Sequence, residues 1–445
     1  MAILAGRKNK HKIMKKILTL FLLISLFSCQ SRINNNESLN LIAENYVKLV
    51  LEVGLYDPYF VDAYYGPEEW KPFPLENEEE EIPAEMLLEK VQFIQSMLEK
   101  IDSDQLENDL KLRHRYLTKQ LRAVKGRIEL LNGKKFTFDE ETKALYDVNT
   151  PDYEIKHFEN LIEQLDAILP GNGDLSERLT EFKKNFIIPK DKLEEVFTVA
   201  IEEAKRRTKQ YIILPENENF VLEFVSDKPW GGYNWYKGNN FSLIQVNTDL
   251  PIYIDRAIDL AAHEGYPGHH VYNCLLETNM VKKNNWMEFS VYPLYSPQSL
   301  IAEGTANYGI EMAFPYKEKI KFEKEVLFPL AGLDSNQAEM YYEVLGLVAK
   351  ISYVRNAAAE AYLNGEKTRE ETIDWLVQYA LNNQERAKQS LKFIEAYRSY
   401  IINYNVGLDM VRNYMNENSG NSNEEKWKLF EYLISTPQVP SNLTK

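Results

Sequence analysis

Apolar residues recur every three or four positions along most of this chain, and this spacing constrains the fold more than any other feature. It is typical of amphipathic helices, in which one buried face repeats about every 3.6 residues. Hydrophobic residues make up 44% of the 445 residues, which is enough for a large core. The predicted fold class is therefore mainly α, with helices over residues 39–55, 83–101, 105–131, 152–169, 189–211 and 384–406.

One segment, residues 215–247, departs from the helical pattern. Strand-forming residues dominate positions 220–225 and 241–247, and a glycine turn among aromatic residues lies between them. This pattern predicts a small antiparallel β-sheet.

Two later helices are marked by their first residues. Ser296 followed by Pro297 is typical of a helix start, with the serine as N-cap and the proline in the first turn. Thr368 and Glu371 have the spacing of a capping box. Both patterns predict helices that begin at these positions.

The N-terminus has the features of a bacterial lipoprotein signal. Residues 1–28 contain six lysines and arginines and no acid, and positions 17–27 form a short apolar run before Cys29. Eleven residues are too few to span a bilayer as a helix, which needs about 20. We therefore expect Cys29 to be the lipid-modified first residue of a protein anchored in the bacterial cell envelope, facing the periplasm or the cell surface. The alternative is a buried N-terminal helix with an unmodified Cys29.

The charge balance excludes one class of partner. The chain has 52 basic and 67 acidic residues, and loss of residues 1–28 changes the net charge from −15 to −21. Nucleic-acid binding requires a basic surface, so we expect no nucleic-acid partner. Two cysteines cannot form a disulfide framework. The expected contact with the membrane is the lipid anchor alone.

A histidine cluster is the most informative motif. His263, His269 and His270 lie within eight residues, and Glu264 follows the first of them. Neutral imidazole is a common zinc ligand, and His-Glu opens the H-E-x-x-H motif of zinc peptidases. The fourth residue after His263, however, is Pro267, which cannot bind metal and must interrupt the helix. Spacing alone therefore leaves His269 and His270 open as the second ligand, and a polar helix end with capping histidines remains the structural alternative.

The pattern His263-Glu264-x-x-Pro267-Gly268-His269-His270, followed by Glu303-Gly304, resembles the signature of the bacterial family known as domain of unknown function 885. That family is grouped with the gluzincin-type zinc metallopeptidases and includes lipoproteins. The resemblance covers roughly residues 230–308. It implies a zincin-like helical catalytic fold, with His263, His269 and Glu303 as the ligands of Zn²⁺. The residue pattern around Glu303 agrees, because a lone carboxylate among small and apolar residues is unusual for an exposed helix face.

The predicted activity is hydrolysis of peptide bonds, most simply in short peptides. Zinc would activate a water molecule, and Glu264 would take its proton as general base. The strand that begins at Ser242 would be an edge strand able to pair with an extended peptide, or else a purely structural hairpin. A zinc hydrolase of a non-peptide amide or ester and a non-catalytic binding lipoprotein are the alternatives. Asn307, one turn after Glu303, is a candidate for holding a histidine in orientation.

Four residues are candidates for substrate binding. Tyr404 belongs to a tyrosine stripe on one predicted helix face, and Tyr233 lies in the aromatic glycine turn. Arg355 and Arg398 could grip the terminal carboxylate of a peptide, because a guanidinium matches that group. The alternative for each arginine is a surface or structural salt bridge.

These features predict a simple organisation along the chain. After the signal peptide, a flexible tether is expected to lead into helices that wall the cleft, then a catalytic part and a short tail. The predicted segments are residues 1–28, 29–40, 41–210, 211–436 and 437–445.

Overall fold

The computed structural model describes residues 35–77, 80–228 and 230–444, and most of them are helical. The predicted signal peptide and Cys29 lie outside the described residues. Within these ranges, no helix is long and apolar enough to cross a bilayer. The helices of the first part are α1 Asn35–Val53, α2 Ala84–Leu98, α3 Asn108–Leu131, α4 Phe138–Tyr146, α5 Ile155–Ile168, α6 Leu175–Lys184, α7 Leu193–Thr208, α8 Asp255–Leu260 and α9 His269–Leu276.

The second part is also helical, and a continuous apolar core joins it to the first. Its helices are α10 Pro297–Ala313, α11 Tyr316–Phe322, α12 Phe328–Ala331, α13 Ala338–Ile351, α14 Val354–Leu363, α15 Arg369–Tyr379, α16 Gln384–Tyr397, α17 Val406–Asn418, α18 Asn423–Ser435 and α19 Pro440–Leu443.

The helical spacing predicted the mainly α class correctly, and each of the five N-terminal ranges contains a helix. The predicted starts of α10 and α15 are also confirmed. The side chain of Ser296 caps α10 with Pro297 in its first turn, and Thr368 and Glu371 form a capping box on α15.

The single long helix predicted over 384–406 is wrong. Helix α16 ends at Tyr397, Arg398 has a left-handed φ of 53°, and a 3₁₀ helix then runs over Arg398–Tyr404. Glu141 of α4 explains the break, because it accepts hydrogen bonds from the side chains of Arg398 and Ser399 and from the Ser399 amide. A contact with a residue more than 250 positions away has overridden local helical preference.

The strands form two small sheets. The central sheet has the order β2-β4-β3 and is mixed, since β2 is parallel and β3 antiparallel to β4. The predicted antiparallel sheet is therefore corrected, and β4 is its central strand rather than an edge. The second sheet pairs β1 with β5 in antiparallel orientation. The strands are β1 Val61–Tyr64, β2 Asn219–Val225, β3 Gly232–Tyr236, β4 Phe241–Asn247 and β5 Val291–Pro293.

The N-terminal helices are joined tightly to the later part of the chain. Strand β1 pairs with β5, and Arg113 of α3 forms a doubly hydrogen-bonded ion pair with Glu288, both side chains being 0% exposed. The two predicted parts, 41–210 and 211–436, therefore share one core.

Parts of the predicted tether and of the predicted tail are helical. Residues 35–40 form the first turns of α1 rather than the end of a tether. The predicted tail 437–445 contains α19, whose Leu443 is buried, and Arg115 donates a hydrogen bond to the Ser441 carbonyl. Buried apolar side chains hold both segments against the core. The polar residues beside them in the sequence did not indicate this burial.

Helix α10 lies at the centre of the molecule. Most of its residues are buried, and Glu303, Gly304 and Thr305 are among them. A helix that is apolar around its whole circumference is expected in such a position. Its closest neighbour is α17, since the backbones approach at Gly304 and Gly407. This packing holds Glu303 in the interior, next to the segment that carries the histidines.

Candidate metal centre

The helix that carries His263 is interrupted, as Pro267 predicts. Helix α8 continues as a widened π-helical turn over Ala261–Gly265, and helix α9 starts at His269. The amide of Gly268 donates to the carbonyl of Ala262, and a Cβ at Gly268 would lie 1.9 Å from the carbonyl oxygen of His263. Only glycine allows this close return of the chain, which turns His269 back toward His263.

Three side chains from separate turns meet at this point and form what we call the His–Glu cluster: His263, His269 and Glu303. The two histidine Nε2 atoms are 3.2 Å apart. Glu303 Oε2 lies 3.4 Å from His263 Nε2, and Glu303 Oε1 lies 3.5 Å from His269 Nε2. The three side chains are mostly buried, with exposed fractions of 14%, 13% and 9%.

The spacing of these atoms fits a metal ion. Zinc–ligand bonds of about 2.0–2.1 Å at tetrahedral angles place neighbouring ligand atoms about 3.3–3.4 Å apart. One ligand atom from each of the three residues lies within 4.8 Å of the others. Glu303 Oε2 is buried and accepts no hydrogen bond from any described residue. A buried carboxylate oxygen without a donor is costly, and a cation between the three side chains would remove that cost.

Asn307 fixes the orientation of the His263 ring. Its Nδ2 donates to the carbonyl of Tyr404 at 3.0 Å, which sets the direction of the amide. Its Oδ1 therefore faces His263 Nδ1, at 3.1 Å, and only an N–H can be bonded there. The lone pair of His263 Nε2 is then directed into the cluster, as expected for a ligand held by an outer partner.

The cluster attracts positive charge. Burial by itself would raise the pKa of Glu303, but the neighbouring His269 and His263 hold it below its usual value. Burial would lower the pKa of His269, but the charge and hydrogen bond of Glu303 raise it to about 9. The hydroxyl of Tyr400 also donates to Glu303 Oε1 at 3.1 Å.

His270 has a different environment. It is fully buried, with Nδ1 2.8 Å from Ser242 Oγ and Nε2 3.2 Å from Glu218 Oε2. These contacts hold the first turn of α9 against β4 and the residue before β2. The geometry thus brings His269, and not His270, to His263 and Glu303.

Glu264 lies beside the cluster without belonging to it. Its carbonyl accepts a hydrogen bond from Asn234 Nδ2 at 2.7 Å, and a Cβ at Gly232 would be 3.6 Å from its Oε1. Its carboxylate forms no hydrogen bond or ion pair with any other described side chain and is mostly buried. A carboxylate in this position is free to accept a proton.

The four candidate substrate residues have different locations. The side chain of Tyr404 is 42% exposed and is electrostatically coupled to Glu303 and Glu264, so it lies near the cluster. Tyr233 does not. Its neighbours Gly232 and Asn234 contact Glu264, and alternation along β3 points Tyr233 to the opposite face, where its ring packs 4.4 Å from that of Trp235.

The two arginines have different surroundings. Arg398 pairs with Glu141 at 2.6 Å, which is the structural salt bridge that the sequence left open. Burial and the neighbouring Arg386 lower the pKa of Arg355 to about 10, and no described carboxylate pairs with it. The salt bridge is the alternative foreseen for Arg398, whereas the carboxylate grip predicted for Arg355 stays a prediction.

Asp62 was not among the site residues predicted from the sequence. It lies in β1, and its carboxylate is electrostatically coupled to His269, Glu303 and Glu264. Nothing in its local sequence distinguishes it, because its proximity to the cluster comes from the pairing of β1 with β5, more than 200 residues later.

No family model matches the chain, and no curated protein matches its sequence. Among solved structures with a similar fold is that of a candidate lipoprotein from Colwellia psychrerythraea, with a TM-score of 0.51 and 15% identity. The two chains share a fold. The match covers 80% of this chain but spans only 65% of the Colwellia protein. A structure titled BsuCP aligns over 90% of this chain and 89% of its own length, with a TM-score of 0.39 and 13% identity, which is too weak to support an argument.

Proposed function

We propose that this protein is a zinc-dependent metallopeptidase of the gluzincin type, as its resemblance to the domain of unknown function 885 family implies. The observation that carries the proposal is the His–Glu cluster, in which two histidine nitrogens and a donor-free buried carboxylate oxygen meet at ligand spacing. Two histidines and one glutamate are a donor set of catalytic zinc sites. Zinc in this position would polarise a peptide carbonyl and lower the pKa of a coordinated water.

The roles of the chain's own residues follow from their positions. Glu264 takes a proton from water and returns it to the leaving amine, because its carboxylate is next to the cluster and unpaired among the described residues. The Tyr404 hydroxyl is the candidate donor to the developing oxyanion, since this partly exposed side chain lies near Glu303 and Glu264.

The position of β3 supports a peptide as substrate. In the described part of the chain β3 pairs only with β4, which leaves its outer edge free beside Glu264. An extended peptide can add to such an edge through backbone hydrogen bonds. The low exposure of the cluster favours short peptides over folded proteins.

The test combines metal content with turnover. We expect about one zinc per chain in protein that starts at Gln30, measured by elemental mass spectrometry, and loss of zinc in His263→Ala, His269→Ala and Glu303→Ala. The exposed His157 gives a matched control, and His157→Ala should keep its zinc. Glu264→Gln should retain zinc and lose peptide hydrolysis by ~10²-fold or more. A zinc-free wild type after reconstitution, or a Glu264→Gln variant with wild-type turnover, would contradict the proposal.

We also propose that the protein is a lipoprotein anchored to the cell envelope through Cys29. The basic and apolar pattern of residues 1–28 supports this, and the Colwellia protein of similar fold is itself a candidate lipoprotein. Cys29→Ser should move the protein from the membrane fraction to the soluble fraction. Equal membrane retention of both forms would refute the anchor.

A further inference from the structure

The 3₁₀ helix Arg398–Tyr404 lies against the face of α10 that carries Glu303. Three hydrogen bonds of 3.0–3.3 Å join the two elements, and their residue pairs are Asn403–Ser299, Tyr400–Glu303 and Asn307–Tyr404. The three α10 residues are spaced four positions apart, so they lie on one face of the helix. The 3₁₀ helix therefore contacts α10 at Glu303 and one turn to either side of it.

The hydrogen bond from Tyr400 distinguishes the two oxygens of the Glu303 carboxylate. Oε1 accepts the hydroxyl at 3.1 Å, whereas Oε2 accepts no hydrogen bond from the described residues and lies 3.4 Å from His263 Nε2. A carboxylate held at one oxygen cannot rotate freely, so the other oxygen stays directed into the His–Glu cluster. Carboxylates that bind metal are commonly hydrogen-bonded in this way.

Tyr400 is held in turn by a residue outside the cluster. Ser399 donates to Glu141 Oε1 from both its amide and its hydroxyl, at 3.2 and 2.6 Å. Arg398 has a φ of 53° and a ψ of −128°, which non-glycine residues rarely adopt, and it pairs with Glu141 at 2.6 Å. A backbone of this kind persists only where surrounding contacts enforce it, and such positions are concentrated at functional sites. Glu141 thus fixes the start of the segment that carries Tyr400.

A neighbouring tyrosine shows that packing alone does not require a bonded hydroxyl. Tyr295 is buried, and its ring centroid lies 6.5 Å from that of Tyr400. Its hydroxyl forms no hydrogen bond with any described residue. Phenylalanine would fill the core equally well at position 400, so the hydroxyl of Tyr400 matters for its bond to Glu303.

We propose that Tyr400 is a positioning residue of the metal centre, whose hydroxyl fixes Glu303 so that only Oε2 binds the ion, and that Glu141 keeps Tyr400 in place. This inference rests on the metal site of the proposed function and adds to it a residue that is not a ligand. The same 3₁₀ helix acts on a second ligand, because the Tyr404 carbonyl fixes the amide of Asn307, which orients His263.

The test compares Tyr400→Phe, which keeps the ring, with Tyr295→Phe, whose hydroxyl has no described partner to lose. Tyr400→Phe should raise the zinc dissociation constant ~10- to 100-fold in competition with a chelator, as expected for the partner of a metal ligand. Tyr295→Phe should bind zinc as tightly as the wild type. Zinc would be added to variants whose circular dichroism matches that of the wild type.

Substitution with Co²⁺ gives a readout that a merely structural role would not change. Without the hydroxyl of Tyr400, the Glu303 carboxylate can bind through both oxygens and raise the coordination number. Co²⁺ with four ligands absorbs visible light more strongly than Co²⁺ with five or six. The Co²⁺ form of Tyr400→Phe should therefore absorb more weakly than that of the wild type.

A second variant tests the role of Glu141. Glu141→Gln removes the charge that pairs with Arg398 and should also weaken zinc binding. In the Tyr400→Phe background the same change should have little further effect on zinc affinity, because both residues act through one hydrogen bond. Additive losses in the double variant would refute the role of Glu141.

The outcomes separate this inference from the function on which it rests. Equal zinc affinities and Co²⁺ spectra in the wild type and Tyr400→Phe would overturn the inference and leave the metallopeptidase assignment intact. An equal loss of zinc affinity in Tyr295→Phe would also overturn it, because core packing would then explain the effect. A wild type that binds neither zinc nor Co²⁺ refutes both proposals.

Discussion

Replacement of Gly304 by alanine tests how closely α10 and α17 must pack. A Cβ at Gly304 would lie 2.5 Å from the carbonyl oxygen of Gly407 and 2.6 Å from its carbonyl carbon. Ordinary contacts begin at 3.4 Å, so the two backbones would have to separate by about 0.9 Å. Neither helix backbone can rotate away as a side chain could.

The cost should resemble that of other overpacked cores, about 1–3 kcal/mol. At an unfolding entropy of about 2.1 cal/mol/K per residue over roughly 400 residues, this lowers Tm by about 1–4 °C. Glu303 is the preceding residue, so the same displacement should weaken zinc binding, which would be measured by competition with a chelator. The matched control is Gly346→Ala in α13, where a Cβ would meet nothing within 4 Å. It should be neutral or stabilising by about 0.5–1 kcal/mol, through helix propensity.

Thermal and urea unfolding of the two variants in parallel would compare their stabilities. If Gly304→Ala were as stable as Gly346→Ala and bound zinc as tightly as the wild type, the close helix crossing would not support the site, and this reasoning would be refuted.

Two further predictions concern buried charges. Arg113→Met should lower the free energy of unfolding in urea by about 3–5 kcal/mol, because it leaves Glu288 unpaired in the core. The double variant with Glu288→Leu should recover much of that stability. Equal losses in the single and the double variant would contradict this prediction. Burial raises the pKa of Glu323 from 4.5 to about 8, against the opposing charge of Lys319. The folded state thus binds more protons than the unfolded state between these values, so this group lowers stability as pH rises from about 4.5 to 8. Glu323→Gln should therefore gain stability relative to the wild type over that range, and a constant difference at pH 5, 7 and 9 would refute the assignment.

Local sequence patterns predicted most of the helical fold. The N-cap at Ser296 and the break at Pro267 are local events, decided by residues within one or two turns. His263 and Glu303 were also recognisable, because the motif at His263 and the apolar surroundings of Glu303 are unusual for exposed helices. Only the family resemblance favoured His269 over His270. His269, and not His270, lies next to His263 because of the path that the backbone takes at Gly268. The spacing of the histidines in the sequence does not reveal that path.

The features that were missed depend on contacts between distant segments. Parallel pairing of β2 with β4 depends on how the chain crosses between them, and the residues of an isolated strand do not encode it. Glu141 ends α16 from another part of the molecule. Asp62 is coupled electrostatically to the cluster from β1, whose partner strand lies far along the sequence. In each case the local sequence is compatible with several outcomes, and the tertiary partner selects one.

The pairing of β1 with β5 has a consequence for the order in which the protein can be made. The Tyr65 hydroxyl donates to the carbonyl of Phe289, 224 residues later. At about 5–20 residues per second, a ribosome needs roughly 11 to 45 s to synthesise that interval. Throughout it, β1 has no partner strand and the apolar face of α1 lacks part of its cover. An N-terminal fragment of this protein should therefore aggregate or require a chaperone, and β1 can pair only when synthesis has passed β5.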